Sequence, residues 1–189
     1  MRNSSLVLAC LGLLIGSGAA LGGGPSGAPG AAAVAIAAVA PLGANAVKGT
    51  VRFTQLEGGV EIAADITGLT PGAHGFHIHE YGDCSAADGS SAGGHFNPDQ
   101  KAHGGPGMDM SHAGDYGNLT ADANGRATLK IVAHRITLDQ GPSGVLGRSV
   151  VVHEKSDDLT SQPAGNSGPR IGCGVIMLKG GTTTAIVKK

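Results

Sequence analysis

The chain contains no tryptophan, and it has only two tyrosines and three phenylalanines among 189 residues. Charged residues are also scarce, and the 13 lysines and arginines nearly balance the 14 aspartates and glutamates. Because no basic stripe with interleaved aromatic residues occurs, the sequence argues against nucleic acid as a partner. Glycine is abundant instead, with 34 residues and no Gly-X-Y period, which excludes collagen and indicates many turns rather than long helices.

The chain also lacks an apolar run long enough to serve as a stable membrane anchor. Its first 22 residues have the parts of a secretory signal, with a positive start, an apolar stretch from Leu6 to Ile15 and small residues after it. Cys10 lies in a segment that resembles a lipoprotein cleavage box, but the apolar run continues beyond it, so plain secretion is favoured over a lipid anchor. We therefore predict an exported protein, periplasmic or extracellular, with a signal peptide at 1–22, a flexible Gly/Pro/Ala-rich leader at 23–32 and one domain at 33–189.

Cysteine is rare, with three residues of which Cys10 belongs to the predicted signal. An exported protein meets an oxidising compartment, so the remaining two cysteines are expected to form a Cys84–Cys173 disulfide. Closing so long a loop would stabilise the fold by about 4–5 kcal/mol in the chain-entropy model. The bond would also hold the loop that carries Cys84 against the C-terminal segment.

Apolar residues recur with a period of two in several short segments, which is the pattern of half-buried β-strands. Glu57-Gly58-Gly59 separates two such segments and Asn124-Gly125 separates another two, so each indicates a hairpin turn. We predict eight strands, near residues 33–39, 47–55, 60–67, 76–80, 115–120, 126–133, 145–153 and 172–178.

Two long polar segments interrupt the strand pattern. One runs from about residue 81 to residue 112 and the other from Glu154 to Arg170, and both are rich in residues typical of turns. Loops of this length are uncommon in a compact domain unless they carry function. The sequence therefore predicts an all-β fold, an eight-stranded antiparallel sandwich or barrel with two long functional loops.

Eight histidines are many for such a chain, and three of them crowd one predicted strand. His77 and His79 lie two residues apart, so their side chains leave the same face and suit one metal ion. His74 has the opposite parity and is expected to be a buried, hydrogen-bonded structural histidine. His153, at the end of an apolar strand, is a candidate third ligand, with an ordinary strand-end residue as the equal alternative. An all-imidazole set favours Cu²⁺, although zinc would also fit.

The first long loop supplies a second group of candidate ligands. His95, His103, His112 and Asp115 offer three imidazoles and one carboxylate, which match a closed tetrahedral Zn²⁺ site. A loop this poor in apolar residues would not order itself by burial, whereas a structural zinc would order it. The alternative is a surface loop without metal, which each histidine favours singly but the combination does not.

The segment His74-Gly75-Phe76-His77-Ile78-His79-Glu80 resembles the copper,zinc superoxide dismutases. The resemblance extends over essentially the whole chain after residue 32, and its distant motifs occur in the family's order. It implies a Greek-key, immunoglobulin-like arrangement of the eight strands. The other segments that carry it are 94–98 (GHFNP), 103–106 (HGGP), 112–118 (HAGDYGN), 147–155 (GRSVVVHEK) and 168–175 (GPRIGCGV).

The resemblance implies one copper and one zinc per chain, joined by a histidine that both metals share. It gives a role to each candidate ligand, with His95 as the imidazolate between the two metals. The implied copper ligands are His77, His79, His95 and His153, and the implied zinc ligands are His95, His103, His112 and Asp115.

Two further residues gain roles only from the resemblance. Asp157 is similar to the carboxylate that links a copper-ligand histidine to a zinc-ligand histidine and so fixes their ring orientations. Arg170 is similar to the arginine above the copper, where a fixed positive charge attracts and orients the superoxide anion. The resemblance also predicts that the backbone of a disulfide-bonded cysteine, Cys84 or Cys173, supports this arginine.

The implied activity is a two-step dismutation of superoxide to dioxygen and hydrogen peroxide, with Arg170 and His95 as catalytic residues. In this reaction His95 leaves the copper on reduction, takes up a proton and returns it to the product. A metal carrier and a purely structural zinc domain are the competing hypotheses. All seven ligand positions and the arginine are present, which favours the enzyme.

The sequence departs from the family pattern in two places. Cys84 follows His79 by five residues, which is nearer to secreted bacterial members, whereas the zinc-loop motifs are similar to eukaryotic ones. The loop from Glu154 to Arg170 is short and lacks the cluster of Glu and Lys credited with guiding substrate, so Lys101 or Lys155 would have to supply that charge. The family implies a homodimer, and this mixture leaves open which of its two known types of dimer surface is used.

Overall fold

The structure, a computed structural model, describes residue 1 and residues 32–188. Apart from residue 1, the predicted signal peptide and Cys10 lie outside the described residues, as does the leader as far as residue 31. Within residues 32–188, none of the helical structure is long or apolar enough to cross a membrane.

Within residues 32–188, eight β-strands make up the fold, and all their paired neighbours are antiparallel. The first long loop, residues 80–114, contains a short 3₁₀ helix at Ser90–Ala92, and the second long loop spans residues 154–169. The strands are β1 (Val34–Pro41), β2 (Lys48–Leu56), β3 (Gly59–Thr67), β4 (Gly72–His79), β5 (Asp115–Ala121), β6 (Ala127–Ala133), β7 (Ser149–His153) and β8 (Arg170–Leu178).

The strands lie in the order β5-β4-β7-β8-β1-β2-β3-β6, in one nearly closed, barrel-like sheet. Strands β1, β2 and β3 pair in succession, after which the chain crosses to β4 in the other half of the order. It returns from β5 to β6 at the opposite edge. The predicted all-β, eight-stranded antiparallel fold is confirmed, and these crossings are consistent with a Greek key.

Alternation of buried and exposed residues builds the barrel interior. In β2, Val51 and Phe53 are fully buried while Arg52 between them is exposed, as the period of two predicts. Strands β4 and β7 differ, because all five residues of β7 and the last six of β4 are buried. The inner faces of these two strands pack in the core, and the long loops cover their outer faces. The candidate site lies under that cover.

Two strands begin more than two residues away from their predicted starts, whereas the others lie within two residues of their predicted bounds. β7 begins at Ser149 rather than Val145, because Gly147 has a φ of 83° and the Arg148 N–H donates to the Val145 carbonyl in a turn. Apolar residues in that turn are buried without being extended. β4 begins at Gly72, four residues earlier than predicted, and it ends at His79.

The predicted disulfide is present between Cys84 and Cys173, with the two Cα atoms 5.8 Å apart. Cys173 lies in β8 and is almost fully buried, together with Leu42, Ala92 and Val151. The bond joins the first long loop to the barrel wall beside β7, and so positions the loop next to the histidines of β4.

Candidate metal centre

Seven buried side chains form two donor sets that share one member. Within each set, one donor atom from every residue lies within 4.8 Å of the donor atoms of the others. His95 belongs to both sets, so the structure brings together the residues that the sequence singled out. We refer to His77, His79, His95 and His153 as the imidazole set, and to His95, His103, His112 and Asp115 as the mixed set.

Strand geometry builds the imidazole set. His77 and His79 project from the same face of β4, and the neighbouring strand β7 ends with His153 beside them. His95 joins them through an isolated bridge to His79, and its ring stacks on that of His77 with centroids 3.9 Å apart. His74 is buried on the opposite face, with Nδ1 2.9 Å from the His153 carbonyl. It is the structural histidine that its parity predicts.

Hydrogen bonds to carbonyl oxygens fix the tautomers of two rings. His79 Nδ1 lies 3.0 Å from the Gly93 carbonyl, and His153 Nδ1 lies 3.1 Å from the Gly168 carbonyl. A carbonyl only accepts, so both Nδ1 atoms carry the hydrogen and both Nε2 atoms present lone pairs. Those two Nε2 atoms face each other at 3.4 Å. Two facing lone pairs repel each other, and a cation bound between them would remove the repulsion.

Three other ring nitrogens are buried without a hydrogen-bond partner among the described residues. They are His77 Nδ1, His95 Nε2 and His103 Nδ1. His103 Nδ1 lies 3.1 Å from an Asp115 oxygen but is not aligned for a hydrogen bond. Buried polar atoms are normally paired, so these orphaned nitrogens, all within the two donor sets, fit metal ligation.

Asp157 links one histidine of the imidazole set to one histidine of the mixed set. Its Oδ2 accepts from His77 Nε2 at 2.8 Å, and its Oδ1 accepts from His103 Nε2 at 2.9 Å. These bonds leave the Nδ1 atoms of both rings available as metal-ligand atoms. A carboxylate that links one histidine of each set is what the resemblance implies. Burial acts to raise the pKa of Asp157, but hydrogen bonds from His77 and the Leu159 N–H outweigh it, so the pKa is lowered.

Asp115 organises the mixed set from the start of β5. Its Oδ1 lies 2.8 Å from His95 Nδ1 and 3.2 Å from His112 Nδ1, while its Oδ2 accepts from the backbone N–H groups of Gly104 and His112. Burial acts to raise the pKa of Asp115, but hydrogen bonds from His112 and His95 outweigh it and hold the pKa well below its usual range. The carboxylate is therefore ionised, as a metal ligand must be.

Burial keeps the imidazole set neutral. It lowers the pKa of His95 to about 4 against the opposing effect of the hydrogen bond to Asp115, and together with repulsion from His77 it lowers the pKa of His153 to about 3. Burial also lowers the pKa of His77 and His79. At neutral pH these rings are unprotonated at one nitrogen, which is the form that binds metals.

An open cavity of about 540 Å³ leads to the shared histidine and is lined in part by Arg170. The Arg170 Nη2 donates to the Gly93 carbonyl at 2.6 Å, and Nη1 donates to the Gly89 carbonyl. The acceptors are therefore two glycines of the first long loop. The resemblance predicts the backbone of Cys84 or Cys173 as the support, and that prediction is wrong. We refer to this cavity as the channel; its other lining residues are His79, Glu80, Gly94, His95, Asn97, Gln100, His112, His153, Pro163 and Ala164.

Of the two lysines considered for substrate guidance, neither lines the channel. Lys101 lines a separate cavity of about 510 Å³ between residues 106–109 and the end of β6. The Lys155 side chain lies against Gly168. Arg170 is therefore the cationic side chain in the channel lining.

Two amide side chains hold the site and have no signal in the sequence pattern. Asn118 forms reciprocal bonds with the backbone of Asp157, with its Oδ1 accepting at 2.7 Å and its Nδ2 donating at 3.0 Å. Gln162 does the same for the backbone of His103, at 2.8 and 2.9 Å. Each partner lies tens of residues away, so local spacing does not reveal the contact.

Comparison of the sequence and the structure with known proteins assigns the chain to a family. Residues 47–176 match the sequence model of the family described as copper/zinc superoxide dismutase (SODC). The structure is also similar to a crystal structure of a protein named as the clock protein EA4, with a TM-score of 0.70 and 42% sequence identity. That alignment covers 77% of this chain and 94% of the other. The chain belongs to the copper/zinc superoxide dismutase family.

Proposed function

We propose that this protein dismutates superoxide outside the cytosol, with one copper and one zinc bound per chain. The observation that carries the proposal is His95, whose two ring nitrogens face two different donor sets. Its Nδ1 points to Asp115 of the mixed set, and its unpartnered Nε2 lies with the imidazole set. A single ring in this position is suited to bridge two metals.

The donor chemistry of the sets supports different metals. Four imidazoles favour copper in the imidazole set, and three imidazoles with one carboxylate favour zinc in the mixed set. When bound, copper would supply the one-electron oxidation and reduction by which two superoxide anions and two protons become dioxygen and hydrogen peroxide, while zinc would hold the shared histidine. Asp157 would orient His77 and His103 for these roles through its two hydrogen bonds.

Arg170 would bind and orient the anionic substrate. Its guanidinium lines the channel together with His95 and His153 and is held by two backbone carbonyls, so it presents a fixed positive charge. A planar guanidinium that cannot lose its proton is suited to hold a small anion. Preorganised charge of this kind stabilises the reacting anion without rearrangement during the reaction.

His95 would supply a proton to the product. Its ring lines the channel, and its Nε2 has no hydrogen-bond partner in the described residues, so this atom is free to take up a proton and donate it. The mixed set, which His95 Nδ1 faces beside Asp115, would hold the ring in place during that transfer. Arg170 and His95 are thus the proposed catalytic residues.

We further propose export from the cytosol and assembly as a homodimer. The Cys84–Cys173 disulfide supports export, because such bonds persist in oxidising compartments. The homodimer rests on the family. Sedimentation equilibrium of the mature protein tests it, with twice the monomer mass expected and the monomer mass as the contrary result.

Metal content and activity of the purified protein test the function. We expect one copper and one zinc per chain, and superoxide consumption far above that of buffer. A protein loaded with both metals yet inactive would contradict the enzyme. Zinc alone, with copper refused on reconstitution, would also contradict it and would indicate a structural zinc domain.

A further inference from the structure

Arg135 is a charged side chain that directly contacts the mixed set from another part of the barrel. It lies just after β6, and its guanidinium donates three hydrogen bonds to the end of the first long loop. Nη1 reaches the Ser111 carbonyl at 2.6 Å, while Nη2 reaches Ser111 Oγ at 2.6 Å and the His112 carbonyl at 2.8 Å. Hydrogen bonds from a charged donor are short and strong compared with neutral ones.

The contact fixes the point at which an exposed segment re-enters the protein. Residues 106–110 are all exposed, whereas Ser111 is fully buried. The Ser111 hydroxyl accepts from Arg135 and donates to the Met108 carbonyl at 2.9 Å, so Arg135 also closes the turn before it. Without apolar burial in residues 106–110, the position of this turn depends on such polar contacts.

Arg135 completes the restraint on the backbone of His112. The His112 N–H donates to Asp115 Oδ2 at 2.9 Å, and the His112 carbonyl accepts from Arg135. The peptide groups on both sides of this residue are thus held, and the ring is directed to Asp115 Oδ1 at 3.2 Å. These backbone bonds therefore help to set the direction in which the ring points.

We propose that Arg135 is a positioning residue that sets the affinity of the mixed set for zinc by holding His112 in its ligating position. The inference rests on the proposed function, since it takes zinc as the occupant of the mixed set. It differs from the role of Asp157, which acts on ring nitrogens, because Arg135 acts on the backbone. No atom of Arg135 would touch the metal.

The test is the zinc affinity of the metal-free, full mature chain, measured by competition with a chromophoric chelator. Arg135→Met keeps much of the side-chain length but removes all three donors, and we expect zinc binding to weaken by about 10- to 100-fold. Arg135→Lys keeps the charge but has poorer hydrogen-bond geometry, so its zinc affinity should lie between that of Arg135→Met and that of the parent. Copper binding at the imidazole set, measured in the same way, should not change.

Arg126→Met is the matched control. Arg126 also donates to a carboxylate, Asp65 of the neighbouring strand β3, but the pair is exposed and neither residue belongs to a donor set. The control should therefore bind zinc with the affinity of the parent. If Arg135→Met does not fold, Ser111→Ala removes one of the three bonds and should weaken zinc binding several-fold.

Three outcomes would overturn the inference. The first is an unchanged zinc affinity in Arg135→Met, and the second is an unchanged zinc affinity in Ser111→Ala when that variant is the one measured. The third is an equal loss of zinc and copper affinity together with a lower melting temperature. The last result would indicate general destabilisation. Failure of the proposed function is seen in the parent protein alone, which would then be inactive with both metals bound or would refuse copper. Neither result changes the comparison of zinc affinities between the parent and Arg135→Met.

Discussion

His95 is the residue on which the site depends. Its ring is held by a hydrogen bond from Nδ1 to Asp115 and by stacking on His77, so one face and one nitrogen are constrained by the fold. The ring lines the channel, and its other nitrogen, Nε2, is buried without a hydrogen-bond partner in the described residues. This combination would let one side chain connect the proposed copper and zinc sites.

The variant His153→Ala tests the assignment of the imidazole set. It removes one of the four imidazoles but leaves the mixed set intact, so dismutase activity should be lost while one zinc per chain is retained. Metal content by mass spectrometry and an activity assay provide the measurement. His134→Ala is the control, because His134 is exposed and belongs to neither set. Full activity in His153→Ala would show that the set is misassigned.

Arg170→Ala tests substrate guidance. Loss of the fixed charge in the channel should slow turnover by about tenfold or more at low ionic strength, with both metals retained. Arg126→Ala removes the same charge from an exposed position and should leave the rate unchanged, which separates local guidance from net charge. An unchanged rate in Arg170→Ala would mean that the anion is guided by other groups.

The roles of some residues could be predicted from the sequence pattern alone, others only from the family resemblance, and others not at all. Strand parity alone separates His74 from His77 and His79, and the structure confirms that separation. Asp157 and Arg170 take their roles from family resemblance, because a loop acid and a loop arginine have no distinguishing spacing. Arg135 and Gln162 escaped prediction because they act on backbone atoms of residues distant in the sequence.

Among the structural elements, the strands were predictable and the loop contacts were not. Alternating burial identifies the strands, since one face of each packs in the core. The prediction fails at residues 145–148, where Gly147 takes a positive φ and the apolar residues beside it are buried in a turn. The path of the second long loop is set by side-chain bonds to distant backbone, which no periodicity encodes.

Asp158 gives the second long loop a pH dependence that can be measured. Its carboxylate accepts from the N–H groups of Thr160 and Ser161 and from Asn166 Nδ2. These bonds hold the pKa of Asp158 well below the usual range, and the hydroxyl and the backbone of Ser161 have the largest effect. A lowered folded-state pKa means that the stabilisation is complete above the unfolded pKa, near 4. It is lost as the pH falls through the folded value.

Asp158→Ala should therefore melt at a lower temperature than the parent at neutral pH. The difference in melting temperature between the two proteins should shrink as the pH falls below about 4, because the unfolded parent then takes up a proton at Asp158 before the folded parent does. Differential scanning calorimetry of both proteins across this range measures it. A difference that does not change with pH would show that the carboxylate charge is not the source of the stabilisation.

At the level of the whole molecule, the disulfide connects stability with the channel. It ties the first long loop to β8, and that loop supplies the Gly93 carbonyl that accepts from both His79 and Arg170. One carbonyl thus orients a proposed ligand and the proposed substrate-binding charge. Loss of the covalent link is expected to affect both the unfolding free energy and the rate.

The double variant Cys84→Ser, Cys173→Ser tests this connection. The free energy of unfolding should fall by about 4–5 kcal/mol in the chain-entropy model, as measured by urea denaturation of the metal-free protein. Activity per bound copper should also fall, because Arg170 loses its fixed position. The reduced parent should behave like the variant. Unchanged activity per copper would show that the loop keeps its place without the bond.

The central claim is that the two donor sets form a catalytic centre for superoxide. The most direct measurement follows superoxide decay after rapid mixing with protein that carries one copper and one zinc per chain, and quantifies the hydrogen peroxide formed. We predict that each chain consumes many equivalents of superoxide and yields one hydrogen peroxide for every two consumed. Consumption that stops after one equivalent per chain, or that does not exceed the rate in buffer, would contradict the claim.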